Sequence, residues 1–164
     1  MNERSEDFIR LIRHPVKFRV FLFMKLPSAF FAGVRVKEID QTKCLVKIPY
    51  KWFSQNPFRS TYFACLSMAA EMSTGVLAMA HVYKRQPAVS MLVVKVESEY
   101  HKKATGITIF TCNSGNEIRQ AVEEAIETGV GTSIRVLSTG RNNQGETVSE
   151  FWITWSFKAK KFTV

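Results

Sequence analysis

Hydrophobic and polar residues alternate with a period of two over six stretches of the chain, which predicts six β-strands. The stretches are 33–40, 44–50, 88–100, 104–112, 131–139 and 151–157. The last is the clearest, because Phe151, Ile153 and Trp155 fall on the same side of the strand. Short polar turns join several consecutive stretches. They indicate hairpins, so the predicted sheet is mainly antiparallel.

The stretch 61–80 has a different pattern, because it is apolar nearly all round and Glu71 is its only charged residue. Its Ala, Leu and Met residues favour a helix. Ser60 or Thr61 can cap its start with a hydroxyl oxygen. A helix without a polar face is either buried on most sides or crosses a membrane. The length would span a bilayer, but the Ser, Thr and Gly residues and the central carboxylate favour a buried helix.

The first 32 residues predict a helical arm. Ser5 can cap a short first helix, and Pro15 starts a second helix over about 15–26, in which aromatic and basic residues are interleaved. Such a helix lies on a membrane surface or packs across the outside of the sheet with its basic side in water. The aromatic content favours packing.

A further helix is predicted over 115–128, with Ser114 and Glu117 as a capping box and Gly129 as its end. The order is therefore a helical arm, two strands, a long helix, and four strands with one helix inserted before the fifth. A helix that is apolar all round requires a sheet curled around it, which predicts one α+β domain over 1–164.

The composition adds limits on partners and location. A net charge of +9 favours an anionic partner, such as nucleic acid, an acidic membrane surface or coenzyme A. The basic residues are scattered and the aromatic residues follow core-like alternation, which argues against nucleic acid. Cys44, Cys65 and Cys112 indicate buried free thiols in a reducing compartment, and the N-terminus lacks a secretion signal, so we expect a cytoplasmic protein. The histidines have no metal-ligand spacing, and we expect no metal.

This layout, with the sequence Asn56-Pro57-Phe58-Arg59-Ser60 before the long helix, resembles the hotdog thioesterase superfamily. The chain looks most like a branch of uncharacterised single-domain proteins with an N-P-F-R-S type motif, and the resemblance covers nearly all of it from Gly33 onward. It implies a sheet wrapped around a central helix, and a homodimer or dimer of dimers joined edge to edge with the site between subunits. The run 88–100 is the predicted joining strand, since a long apolar edge would otherwise aggregate.

The resemblance also implies a catalytic arrangement. In phenylacetyl-CoA-type hotdog thioesterases an Asn precedes the helix, a His-Gly-Gly starts it, and an Asp or Glu lies about two turns in. Asn56 and Glu71 match the first and last positions, while Tyr62-Phe63-Ala64 replaces His-Gly-Gly. Glu71 would activate water, the backbone N–H of Phe63 would stabilise the oxyanion, and Asn56 would orient the water or the carbonyl. The alternative for Glu71 is a structural pair with a buried Ser, Tyr or Lys.

The expected function is hydrolysis of an acyl-CoA or acyl-carrier-protein thioester, with no cofactor beyond the coenzyme A of the substrate. The predicted substrate-binding residues are Tyr62, Arg59, Ser60, Ser90, Lys84 and Arg85. Further candidates for the coenzyme A phosphates are Lys102, Lys103 and Arg141, since phosphate favours basic partners. The replacement of His-Gly-Gly and the cationic arm support an alternative, a non-catalytic acyl-CoA-binding, lipid-binding or interaction module.

Overall fold

The computed structural model describes residues 3–160, so residues 1, 2 and 161–164 of the predicted domain lie outside the described residues. The strands are β1 (Arg35–Ile39), β2 (Cys44–Ile48), β3 (Val89–Tyr100), β4 (Thr108–Cys112), β5 (Thr132–Arg141) and β6 (Thr147–Ala159). They form one sheet in the order β1-β2-β4-β5-β6-β3, and every neighbouring pair is antiparallel. The predicted antiparallel sheet of about six strands is therefore confirmed.

The helices are α1 (Glu3–Arg13), α2 (Pro15–Lys25), α3 (Pro27–Ala32), α4 (Phe63–Val82) and α5 (Gly115–Thr128), with a 3-10 turn at Trp52–Ser54. The second helix of the arm and α5 lie where the sequence predicts them. Helix α3 was not predicted, because its six residues are too few to show a helical period. It begins at a proline and ends at Gly33, whose φ of 86° closes the helix in the left-handed conformation.

Helix α4 is the centre of the molecule. It contacts all six strands, so the sheet curls around it and the fold is the predicted hotdog fold. By length and composition alone α4 could cross a membrane, but 67% of its most apolar 18-residue stretch is buried inside the protein. The polar residues on its buried side are bonded, since Ser73 Oγ lies 2.7 Å from Ser138 Oγ and Trp155 Nε1 donates to Thr74 Oγ1 at 3.0 Å. The predicted buried central helix is confirmed.

Strand β3 lies at one edge of the sheet, as expected of the predicted joining strand, but its neighbour in the sheet differs from the prediction. We expected residues 101–103 to turn the chain directly from this strand into the next one. Instead β3 pairs with β6, while β4 lies between β2 and β5. A period of two identifies the two faces of a strand but carries no information about its neighbours. The hairpins β1–β2 and β5–β6 are confirmed.

The helical arm packs mainly against α4 and β1 rather than across the outside of the sheet. Ser5 does not cap α1. Its buried hydroxyl donates to the Ala80 carbonyl on α4 at 2.6 Å. Arg13 fixes the end of α1 to the sheet, because its Nη2 and Nε donate to the Ile39 carbonyl at 2.6 and 3.0 Å. In α2, Phe18 and Leu22 are buried against the rest of the protein. The arm therefore covers a side of α4.

Three predicted helix caps are absent, although the helices are present. Ser114 makes no capping hydrogen bond to α5. Before α4, Ser60 Oγ bonds to the Asn56 side chain, and Thr61 Oγ1 donates to the Ala104 carbonyl at 3.1 Å. Both hydroxyls have partners elsewhere, so the first turn of α4 has no side-chain cap. Cys44, Cys65 and Cys112 are buried free thiols, as predicted.

Candidate active site

Glu71 lies two turns into α4 and lines an apolar cavity of about 600 Å³. The cavity is bounded by α4, by the arm and by one residue each from β3 and β6, Met91 and Trp155. Among its lining residues only Glu71 and Lys17 carry a charge. A cavity of this size with an apolar wall and few polar groups is typical of a ligand site.

The Glu71 carboxylate is half-buried and has no ion pair or hydrogen bond to any side chain or backbone group within residues 3–160. Burial raises the pKa of this carboxyl above its ordinary value of 4.5, because the apolar surroundings solvate the charged form poorly. A carboxylate with a raised pKa that is open to a cavity is a better proton acceptor than an ordinary surface carboxylate. The structural pair that the sequence left open as an alternative is not formed in the described part of the chain.

Gly75, one turn after Glu71, makes room for the carboxylate. A Cβ at position 75 would lie 2.8 Å from Glu71 Oε1 and 3.1 Å from the nearest ring carbon of Trp155. Thr74 fixes the same turn, since its hydroxyl donates to the Glu71 carbonyl at 3.0 Å and accepts from Trp155. The sequence did not identify Gly75 as a site residue, because Trp155 is distant along the chain.

Asn56 organises the loop that leads into α4. Its Oδ1 accepts from the backbone N–H groups of Phe58 at 3.0 Å and Ser60 at 3.2 Å, and its Nδ2 lies 3.1 Å from Ser60 Oγ. Arg59 adopts a φ of 56° in this loop, a conformation that the hydrogen bonds of the turn stabilise. The Asn56 side chain therefore has a structural task that the sequence-based role did not include.

The start of α4 offers free backbone donors. The N–H groups of Cys65 and Leu66 donate to the Tyr62 carbonyl, whereas those of Phe63 and Ala64 have no hydrogen-bond acceptor in the part of the chain that the structure describes. The side chains of Tyr62 and Phe63 are exposed, with ring centroids 4.9 Å apart. Uncapped N–H groups at a helix N-terminus are a suitable oxyanion donor.

Asn56 and Phe63 line a second cavity of about 530 Å³, separate from the Glu71 cavity. It also contains Ser60, Tyr62 and the exposed basic residues Lys102 and Lys103. Glu71 lies eight positions after Phe63, which is about 12 Å along the helix axis. One chain therefore does not bring the predicted base and the predicted oxyanion donor to the same thioester.

The remaining predicted substrate-binding residues are dispersed. Ser90 is exposed and donates to the Lys158 carbonyl at 3.1 Å. It faces away from its neighbour Met91 and does not line the Glu71 cavity, so its role in substrate binding stays a prediction. Lys84 and Arg85 follow the C-terminal end of α4, about 30 Å from its start. Arg85 is ion-paired with Glu123.

One cluster of possible metal ligands is present that spacing along the chain could not reveal. Glu99, His101 and Glu150 each offer one ligand atom within 4.8 Å of the others. His101 Nε2 lies 3.1 Å from Glu150 Oε2, and these side chains are exposed or partly exposed. Exposed groups of this kind commonly form ion pairs without a metal, and the cluster is distant in sequence from Glu71.

Residues 16–157 match the model of a protein family described as a domain of unknown function, DUF4442. The chain belongs to the DUF4442 family. No curated protein sequence matches this DUF4442 chain. The match begins in α2 and ends in β6, so it covers the central helix, nearly all of the sheet and the whole cavity lined by Asn56. It also covers the lining of the Glu71 cavity apart from the residues of α1.

Solved structures similar to this DUF4442 protein include several named as thioesterases. A Pseudomonas aeruginosa protein of unknown function, called a probable thioesterase, is 19% identical, with a TM-score of 0.74 over 89% of this chain and 97% of its own. A Haemophilus influenzae thioesterase is 8% identical, with a TM-score of 0.60 over 88% and 90%. A Silicibacter pomeroyi thioesterase family protein is 12% identical, with a TM-score of 0.62 over 88% and 98%. At these identities the similarity establishes the fold.

Proposed function

We propose that this DUF4442 protein hydrolyses acyl thioesters, with Glu71 as the general base. Water attacks the thioester carbonyl carbon while Glu71 accepts one proton of the water. The C–S bond of the tetrahedral intermediate then breaks, which gives the carboxylic acid, and the leaving thiolate takes the proton from Glu71 to depart as the thiol. The observation that carries the proposal is a half-buried carboxylate that faces an apolar cavity and has no partner in the described part of the chain. An apolar wall suits the acyl chain, whereas a purely structural carboxylate at this depth would require a partner.

The second part of the proposal is that two subunits complete each site. Strand β3 borders both cavities, because Met91 near one end lines the Glu71 cavity and Tyr100 at the other end lines the Asn56 cavity. Its outer edge has no partner strand within residues 3–160. If two β3 edges pair antiparallel about a two-fold axis, the Met91 end of one subunit lies beside the Tyr100 end of the other.

This pairing would unite the separated groups. The Glu71 cavity of one subunit would adjoin the free N–H groups of Phe63 and Ala64 in the other, next to Lys102 and Lys103. The same arrangement would bring the C-terminal end of one α4 towards the start of the other. The length of β3 and the exposure of its apolar residues Leu92 and Val96 support an edge that is covered in the assembly.

Thiol release from a panel of acyl-CoA and acyl-carrier-protein thioesters tests the hydrolase. We expect turnover by the wild type and a loss of kcat of about a hundredfold or more for Glu71→Gln, the usual size of a general-base contribution. Glu124→Gln is a matched control, because Glu124 is an exposed acid on α5. Equal turnover by wild type and Glu71→Gln would remove Glu71 from the mechanism.

Substitution at Val94 tests the shared site. Val94 lies in a bulge where it has no partner on β6, so Val94→Pro leaves the registered β3–β6 pairs in place but obstructs a strand arriving at the outer edge. We expect a dimer by light scattering for the wild type and for Val94→Ala. Val94→Pro should be a folded monomer without turnover. A fully active monomer would contradict a site divided between subunits.

The alternative function is an acyl-CoA-binding or lipid-binding module without turnover. The exposed rings of Tyr62 and Phe63, at the position where the resemblance implies His-Gly, favour it because they narrow the approach to the helix start. Tight binding of acyl-CoA without thiol release by any thioester would support this module. The cytoplasmic location, the single domain over 1–164 and the absence of a cofactor stay predictions.

A further inference from the structure

Helix α2 is apolar on the side that faces away from the protein. At 100° per residue, Val16, Val20, Phe23 and Met24 share one arc, opposite the buried Phe18 and Leu22. These four side chains are between 51% and 68% exposed. A surface helix of a soluble protein normally presents polar residues on its outer side, so this pattern indicates that the outer side is covered in use.

The apolar surface continues beyond α2 through ring contacts. The Phe23 ring centroid lies 6.2 Å from that of Phe31 on α3, Phe31 lies 5.6 Å from Phe53, and Phe53 lies 5.8 Å from Trp52. Trp52 is 80% exposed. We call this surface the aromatic face: Val16, Val20, Phe23, Met24, Phe31 and Trp52. Trp is the residue that most characteristically lies at the level of lipid headgroups.

Basic residues border the aromatic face on both sides of α2. The thirty residues between Asp7 and Glu38 contain no acid and seven basic residues: Arg10, Arg13, Lys17, Arg19, Lys25, Arg35 and Lys37. A groove beside α2 collects Arg13, Arg19, Arg35 and Lys37. On the other flank of α2, Lys17 follows directly after the apolar arc.

The charge of this groove is not neutralised from within. Glu38, which also lines it, is ion-paired with Lys43 at 2.6 Å. Nη1 of Arg19 is buried and has no hydrogen-bond partner among residues 3–160, while its guanidinium carbon lies 4.0 Å from the centroid of the Phe30 ring. A buried guanidinium nitrogen without an acceptor is suited to receive an oxygen of a phosphate or carboxylate.

We infer that the aromatic face, with its basic borders, docks on the surface of a membrane that contains anionic lipids. The apolar side chains enter the headgroup region, and the basic residues contact lipid phosphates. A second copy of the chain is a poorer occupant, because a symmetric contact would bring two faces of the same positive charge together. Nucleic acid would satisfy the basic residues but leave the aliphatic part of the face in water.

Docking in this orientation has a consequence that rests on the proposed function. Lys17, Phe21 and Leu26 are exposed and also line the Glu71 cavity, so the cavity opens beside α2. An acyl chain in the bilayer could enter the cavity from the docked side without crossing water. The substrate class would then be a long-chain acyl thioester held at the membrane surface.

Flotation with vesicles tests docking without any thioester. We expect the wild type to bind phosphatidylcholine vesicles that contain phosphatidylserine, and to bind much less in high salt or to phosphatidylcholine alone. Val20→Asp and Lys37→Glu should each weaken binding about tenfold or more, because Lys37 is exposed and lines the basic groove. The matched controls are Val130→Asp and Lys158→Glu, which change an exposed valine and an exposed lysine outside the face and should bind like the wild type.

Three results would overturn the inference. They are absence of vesicle binding by the wild type, equal binding by the face variants and their controls, and a self-association that Val20→Asp abolishes while no vesicle is bound. Val20 is exposed, so its variant should fold, and circular dichroism checks this. Failure here leaves the hydrolase intact, and a protein that binds vesicles but cleaves no thioester contradicts only the hydrolase.

Discussion

Replacement of Gly75 by Ala should separate catalysis from stability. The added Cβ would lie 2.8 Å from Glu71 Oε1, whereas ordinary contact begins at 3.4 Å, so the carboxylate oxygen must retreat by about 0.6 Å. A glutamate side chain can make this movement by rotation, because its end is flexible and faces a cavity. The backbone at Gly75 is helical and accepts Ala without strain.

The two energetic effects differ in size. Ala is favoured over Gly in a helix interior by about 1 kcal/mol, which stabilises the variant. The new Cβ also crowds the Trp155 ring, and overpacking of this kind usually destabilises a protein by about 1–3 kcal/mol. The free energy of unfolding should therefore change by only about 1 kcal/mol. A displacement of a catalytic group by about 1 Å can cost about a hundredfold in rate, so we expect kcat/KM to fall about 10-fold to 100-fold.

The assay compares thiol release and urea denaturation for the wild type, Gly75→Ala and Gly106→Ala. Gly106 is the matched control, because an added Cβ there meets no atom within 4 Å. Wild-type kcat/KM in Gly75→Ala would show that the position of the Glu71 carboxylate is unimportant and refute the reasoning. A loss of several kcal/mol of stability would refute the packing part of it.

Two further predictions concern pH and core packing. Burial raises the pKa of Glu71, so kcat/KM should increase with pH through a limb above pH 4.5 that Glu71→Gln abolishes. Because the folded protein holds this proton more tightly than the unfolded chain, ionised Glu71 costs stability above its folded pKa. Glu71→Gln should therefore stabilise the protein at high pH by about 1.4 kcal/mol per unit of pKa shift, and the gain should vanish in acid, as denaturation at each pH would measure. Gly140→Ala should lower the free energy of unfolding by about 1–3 kcal/mol in urea denaturation, because its Cβ would lie 2.6 Å from the buried Phe110 ring. Phe110→Leu in the same chain should restore part of the lost stability. Full wild-type stability of Gly140→Ala alone would contradict this packing.

The parts of the fold that were predictable are those that local residue order determines. In β6, the buried faces of Phe151, Ile153 and Trp155 follow directly from alternation. The body of α4 follows from its composition. Partners that are distant in sequence were not predictable: the position of β3 next to β6 is one example. The hydroxyl of Thr61 is another, because it bonds to the Ala104 carbonyl rather than to the helix start.

The candidate site divides in the same way. Glu71 was identifiable because an acid in an apolar helix is anomalous wherever the helix lies. Gly75 was not, since its importance comes from the Trp155 ring and the Glu71 carboxylate beside it. The outward apolar side of α2 was not identifiable either. The sequence shows an apolar helix, and only the packing of Phe18 and Leu22 distinguishes the buried side from the exposed one.

The physical cost of Glu71 is itself an argument for function. Several other acids in the described chain offset their charge with a partner, as Glu123 does with Arg85 and Glu146 with Lys102. Glu71 is more deeply placed than these and has no such partner within residues 3–160, so its charge destabilises the fold. A neutral residue would fit the apolar cavity with less cost. On the proposed function, the missing partner is a molecule that enters the cavity, namely a water molecule held between the carboxylate and a thioester carbonyl.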